Sequence, residues 1–279
     1  MSNSDLPIGV FDSGLGGLTV VREILKRLPN EHVIYFGDLA RLPYGIKSKR
    51  QIVDFSKENT ELLLNQGVKA LVIACNSSAS AAAGILKKNY NLPILDVIRP
   101  AAREAIEVSS SKRIGVIGTR ATISSGAYDK TLKSLDSHVF VSGMACPLFV
   151  PLVEEGILNG EVAKSVIKQY VKPLLQKKID TLILGCTHYP LLKKSIQEFA
   201  GSKIRLVDSA APTVSDLELL LELKSIKRKS KTKGKLRILV SDLPQSFVNV
   251  GSQFLGQKLR DVKLVRLTEV AMIKRKWAV

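Results

Sequence analysis

The chain has 279 residues, 45% of them hydrophobic, and a formal net charge of +17. That length exceeds what one small core needs and suits two α/β units of ordinary size, and no apolar run approaches the roughly 20 residues of a bilayer-spanning helix. Residues 1–7 carry no secretory leader pattern and the three cysteines, Cys75, Cys146 and Cys186, are too few and too far apart for a disulfide framework, so a cytoplasmic protein with free thiols is expected.

Along the chain, short apolar runs alternate with helical patterns. Ile8–Phe11 reads as a strand, and Thr19–Leu28 then places Val20, Val21, Ile24, Leu25 and Leu28 on one helical face. A strand at Val33–Phe36 precedes a helix at Ser48–Leu64, where Ser48 and Gln51 occupy capping-box positions. Strands follow at Ala70–Ala74, Ile94–Val97, Ile114–Ile117 and Val139–Val141. A helix at Gly160–Gln176 is expected to be interrupted by Pro173. The last strands are Thr181–Leu184, Ile204–Val207, Leu236–Val240 and Val262–Leu267. Such alternation predicts an α/β fold built on mostly parallel sheets.

The chain also resembles itself. "IGVFDS" at Ile8 answers "IGVIGT" at Ile114, "LVIACN" at Leu71 answers "LILGCT" at Leu182, and "LDVIRP" at Leu95 answers "VDSAAP" at Val207. Near-constant offsets of this kind predict two pseudo-symmetric copies of one unit. Loops at the carboxyl ends of parallel strands build the binding crevice of α/β proteins. Each unit would therefore bring one strand-end cysteine, Cys75 or Cys186, to a shared interdomain cleft.

A thiol on either side of a substrate suits racemisation at a carbon that carries hydrogen. One group removes the proton from one face while the other delivers a proton to the opposite face. Cysteine, with a reference pKa of about 8.5, can serve as thiolate base or as thiol acid. Cys146, in "GMACPLFVPL", has no counterpart in the repeat and is expected in the core.

The segments "FDSGLGGLTV" at Phe11, "LPYG" at Leu42, "ACNSSAS" at Ala74, "GTRATISSGAY" at Gly118 and "GCTHYPLL" at Gly185 together resemble the aspartate/glutamate racemase family, and within it the glutamate racemases. The resemblance runs in order from about Ile8 to Thr268. It implies a cofactor-independent isomerase that interconverts L- and D-glutamate for peptidoglycan synthesis, with Cys75 and Cys186 as the acid/base pair and a homodimeric assembly. It also implies a discontinuous first domain, 1–97 with 209–279, enclosing a second at 98–208. An aspartate racemase on the same scaffold is the alternative, because side-chain length is read by the shape of the cleft.

Asp12, at a strand end, could accept a proton, hold the substrate ammonium or restrain a nearby thiolate. His188, two residues after Cys186, could stabilise a thiolate there, and both supporting roles match the resemblance. Ser13, Asn76, Ser77, Thr119, Thr122 and Thr187 bring hydroxyl or amide groups to strand-end turns and helix starts, where carboxylates bind well. Tyr44 and Gly45 resemble a substrate-contacting loop. Where this family usually reads cysteine-asparagine-threonine, the chain has Cys75-Asn76-Ser77, which keeps the hydroxyl and loses a methyl.

Other readings have less support. "GLGG" at Gly14 lacks the last glycine of the dinucleotide fingerprint. Without a paired Cys-x-x-Cys, no metal is expected at Cys75, Cys146 or Cys186. Glu154 and Glu155 read as solvated acids, the alternative being that one of them faces the cleft. The stretch "KSIKRKSKTKGKLR", Lys224–Arg237, carries eight basic residues and no acid, and "IKRKW" follows at Ile273. Lacking interleaved aromatics, the stretch reads as a solvated loop capable at most of a weak polyanion contact, so neither a nucleic-acid nor a membrane partner is expected.

Overall fold

The computed structural model describes residues 3–243 and 247–265. The first unit opens with β1 (Ile8–Asp12), α1 (Leu18–Arg27), β2 (Val33–Gly37), α2 (Lys49–Leu64), β3 (Ala70–Ile73), α3 (Asn76–Asn89) and β4 (Ile94–Asp96). The second unit contains α4 (Ile98–Val108), β5 (Arg113–Gly118), α5 (Arg120–Ser124), α6 (Ala127–Leu135), β6 (Phe140–Ala145), α7 (Phe149–Glu154), α8 (Gly160–Leu175), β7 (Thr181–Gly185), α9 (Lys193–Ala200) and β8 (Arg205–Asp208). After α10 (Ala210–Leu223), the chain returns to the first sheet through β9 (Leu236–Val240), α11 (Phe247–Leu255) and β10 (Val262–Leu264).

All recorded strand pairings are parallel. The first sheet runs β10-β9-β2-β1-β3-β4 and the second β6-β5-β7-β8. The order β2-β1-β3-β4 therefore repeats as β6-β5-β7-β8, which is the internal duplication expressed in space. Strands β1, β2, β3 and β7 are buried at every position, as expected for parallel strands covered by helices on both faces. Their branched residues also favour extended backbone.

The duplication extends to single contacts. Asp96 at the end of β4 accepts from Ile98 N (3.0 Å) and pairs with Lys87 (2.6 Å). Asp208 at the end of β8 accepts from Ala210 N (3.1 Å) and pairs with Lys193 (3.2 Å). Helix α10 joins the two units: Arg27 on α1 reaches its Glu218 at 2.5 Å, and Arg103 on α4 grips its Asp216 with two bonds of 3.0 and 2.6 Å.

Local expectations needed some correction. Helix α8 runs continuously through Pro173. The proline falls in the last turn, so the bond it forfeits lies where the helix is already ending. Ser48 caps α2 by accepting from Gln51 N (3.3 Å), half of the expected box. Strand β6 extends four residues beyond Val141 to Ala145. The end of the last predicted strand beyond Val265, and the basic cluster at Ile273, lie outside the described residues.

The basic stretch is not uniformly solvated. Lys227 binds Glu218 (2.9 Å) and Glu222 (2.7 Å), and Arg228 donates to Asn30 O (2.7 Å) while its backbone N–H donates to Glu31 (2.7 Å). Glu31 is also the partner of the buried Lys69, at 2.5 Å. These bonds tie the start of the stretch under the first sheet, whereas Lys224, Lys229, Lys231, Lys233, Lys235 and Arg237 remain exposed.

Candidate active site

Cys75 directly follows β3 and is the N-cap residue of α3. Its thiol donates to Ser13 Oγ at 3.5 Å, and the side chain is only 4% exposed. Burial, with the charge of Asp12 adding to it, pushes the thiol up to about 12, against the opposing influence of Ser13 and the nearby donors of Ser78. Asp12 is fully buried at the end of β1, where its carboxylate accepts from Gly17 N (3.0 Å) and Gly14 N (3.3 Å). Burial raises its own pKa, while the charge of His188 and those backbone donors pull it down. The neighbouring Asn76 accepts from Tyr128 OH (2.7 Å), and its amide nitrogen is buried with no partner among the described residues.

Cys186 follows β7 in the matching place. Its sulfur lies 3.9 Å from His188 Nδ1, and His188 Nε2 is 3.2 Å from Glu154 Oε1 on α7. Burial pulls the imidazole pKa down, but the bonds and charges of Cys186 and Glu154 outweigh it and raise His188 to about 10. Of the two readings of Glu154 the structure favours the cleft over solvent: α7 follows β6 closely enough to turn this acid onto the histidine. Glu155 is exposed, as expected. Phe254 on α11 packs edge-to-face on the imidazole, with ring centroids 5.2 Å apart.

Residues from the two units also meet directly. Ser77 Oγ lies 2.9 Å from Thr119 Oγ1 and 3.5 Å from Thr122 Oγ1, and the two threonine hydroxyls are 3.0 Å apart. Thr119 also caps α5 by accepting from Thr122 N (3.2 Å). Thr187 donates to Asp12 at 3.4 Å. Glycine is required at two of the contacts, because a Cβ on Gly16 would lie 2.3 Å from Thr187 Oγ1 and one on Gly45 would lie 2.6 Å from Thr119 Cβ.

A cavity of about 20 Å³ is lined by both thiols together with Ser13, Tyr44, Gly45, Asn76, Ser77, Thr119, Thr187 and His188. Leu42, Pro43 and Val150 complete the lining. Asp12 stands behind this first layer and Thr122 supports Thr119. A wider apolar groove of about 370 Å³ adjoins it, sharing Pro43, Gly45, Thr119 and Val150. A hollow of about 460 Å³ on the outer surface, between α8 and α9, holds neither thiol. Among the described residues, no cluster of histidine, cysteine or acids is arranged to hold a metal ion, and no helix is long and apolar enough to cross a membrane.

Tyr44 lies in the wall of the cavity. Its ring is buried in the wall, but its hydroxyl donates to Asp38 and accepts from Asn59 Nδ2 (3.1 Å). Asp38 further accepts from Arg41 Nε (2.6 Å) and Ser241 Oγ (2.9 Å). The hydroxyl thus anchors the loop, and the backbone around Gly45 meets the cleft. Sequence reasoning missed Asp38, whose one signal was its place just after β2, and Val150. Cys146 is fully buried, with its thiol toward Met144 O at 3.5 Å, in the core as expected.

The profile of the Asp/Glu/hydantoin racemase family matches residues 8–217. Glutamate racemase of Geobacter metallireducens is 46% identical over 260 residues, 93% of this chain and 96% of that protein. The crystal structure of glutamate racemase from Francisella tularensis in complex with D-glutamate superposes with a TM-score of 0.90 at 37% identity, covering 95% of this chain and 99% of the other. Isoform RacE1 of Bacillus anthracis gives the same TM-score at 39% identity, covering 94% and 98%. With two duplicated parallel-sheet units, paired strand-end thiols and relatives matched along nearly their whole length, the chain belongs to the Asp/Glu/hydantoin racemase family.

Proposed function

We propose that this protein interconverts L- and D-glutamate by two-base transfer of the α-proton, without a cofactor, and supplies D-glutamate for peptidoglycan synthesis in the cytoplasm. The observation that carries this reading is the pair of thiols, one from each unit, lining a single cavity. One sulfur, as thiolate, takes the α-proton and becomes a thiol; the other, as thiol, gives its proton to the opposite face of the carbanionic carbon and becomes a thiolate. The reverse reaction exchanges the roles, and the two groups titrate as a coupled pair. We assign Cys75 as the base for D-glutamate and Cys186 as the base for L-glutamate.

Asp12 restrains the Cys75 thiolate through its charge, and His188, backed by Glu154, stands beside Cys186 as a hydrogen-bonding and charge partner. The unpaired Asn76 amide and the hydroxyls of Ser13, Ser77, Thr119 and Thr187 are suited to the substrate carboxylates, with Thr122 and the Tyr44–Gly45 loop supporting them. We also propose that 1–97 with 209–279 forms one domain and 98–208 the other, and that the active enzyme is a homodimer. Incubating the protein in deuterium oxide with single amino acids and following both the α-proton NMR signal and optical rotation tests the activity. Loss confined to glutamate is expected; exchange on aspartate alone, or on neither, would overturn the assignment.

A further inference from the structure

Ser78 raises a question that the reading above leaves open. It is the third residue of α3, its side chain is 0% exposed, and its hydroxyl has no partner among the described residues. A buried, unpaired hydroxyl costs stability. Serine is also a poorer helix former than alanine, and the positions around it, Ala79, Ala81, Ala82 and Ala83, are alanine. By packing and propensity alone, alanine would be the better residue here.

The geometry of the helix start supplies a purpose. Cys75 is the N-cap residue of α3, and an N-cap side chain faces the backbone N–H groups of the second and third helical positions. A side chain at the third position reaches back toward the cap, as in a capping box. The Cys75 sulfur makes no capping bond in the resting state, yet the N–H and the hydroxyl of Ser78 both act to lower its pKa, at the end of the helix where the backbone dipole favours negative charge. A neutral thiol makes little use of two donors, whereas a thiolate accepts strongly from both.

Resting on the proposed role of Cys75 as a base, we propose that Ser78 is a positioning residue for the reaction: its hydroxyl and N–H are donors held in reserve for the Cys75 thiolate. In the resting state the hydroxyl is underused. When the α-proton is on the substrate and Cys75 is ionised, the same hydroxyl gains a charged acceptor. The donors of Ser78 are among the influences that lower the Cys75 pKa, opposing burial and the charge of Asp12. The first unit thus offsets an unfavourable setting for a thiolate with uncharged donors.

The test uses the full chain carrying Cys146→Ser and Cys186→Ser, in which Cys75 is the sole thiol. The pH dependence of its alkylation by iodoacetamide then reports its thiolate fraction. Adding Ser78→Ala should slow alkylation at fixed pH about tenfold, an upward shift of about one pKa unit, and Ser78→Thr, which keeps the hydroxyl, should restore the rate to within about threefold. In the chain with all three cysteines, Ser78→Ala should lower kcat/KM about tenfold with an unchanged or higher melting temperature, because a buried unpaired group has been removed. An unshifted alkylation profile overturns the inference, as does an equal loss in the alanine and threonine variants. Failure of the underlying reading is separate: it shows as turnover retained by Cys75→Ala.

Discussion

The two thiols occupy equivalent places in duplicated units, yet their surroundings are opposite in charge. Cys75 faces hydroxyls and, behind them, the carboxylate of Asp12, and it is pushed toward the neutral thiol. Cys186 faces His188, whose imidazole is held protonated up to about pH 10 by the sulfur and Glu154 despite its burial. Topological symmetry therefore gives two thiols, one from each unit, while the groups around them differ in charge: an acid stands behind Cys75 and an imidazole beside Cys186. A racemase needs one thiol and one thiolate at any moment, and unlike neighbours favour that mixed state over two like ones.

Removing either sulfur tests this comparison most severely. Cys75→Ala and Cys186→Ala should each lower racemisation in both directions by about 10²–10⁴-fold, since equilibrium forbids a one-way enzyme. Residual deuterium exchange should survive on opposite enantiomers in the two variants. Measuring exchange on each enantiomer, with circular dichroism to verify folding, checks both points. Near-native racemisation by either folded variant would sink the two-thiol mechanism.

A smaller change sharpens the contrast in charge. Glu154→Gln removes one of the two influences that raise His188, so the imidazolium is lost at lower pH than in the parent. Because the charged form exists below the pKa, the alkaline limb of kcat/KM should move downward, with a loss of about tenfold near pH 9 that shrinks toward pH 7. An alkaline limb that stays in place would detach Glu154 from the function of His188.

The smallest effect is expected far from both thiols. Replacing Lys229, Lys231 and Lys233 together by serine should leave turnover within about threefold, where tenfold corresponds to about 1.4 kcal/mol. Arg228→Ser should instead lower stability by about 1–3 kcal/mol, because its anchoring bond to Asn30 is lost. Turnover and urea unfolding, measured on both variants, separate the exposed half of the basic stretch from the anchored half.

The fold was largely legible because its strands are apolar runs bounded by polar turns, and because duplication marked corresponding strands with similar words. Cys75 and Cys186 stood out for the same reason: each ends such a run. Glu154 did not, since its contact with His188 spans 34 residues and depends on how α7 packs against the turn after β7. The bond from the Tyr44 hydroxyl to Asp38 was not legible either, because an aspartate just after a strand has no local mark of being its acceptor. Ser78 was hidden in plain view, one small residue among others, and only its burial without a partner singles it out.

The hydroxyl triangle of Ser77, Thr119 and Thr122 spans the two units beside a cavity of about 20 Å³, which has room for little more than one water molecule. If an amino acid enters by parting Ser77 from its two threonine partners, the cost of opening follows from those contacts. Neutral hydrogen bonds contribute about 0.5–1.5 kcal/mol each on balance, so parting two of them makes the open form scarcer by roughly 5- to 150-fold. Apparent affinity for substrate is weakened by that same factor. Contacts between uncharged hydroxyls, unlike buried ion pairs, keep such a penalty small.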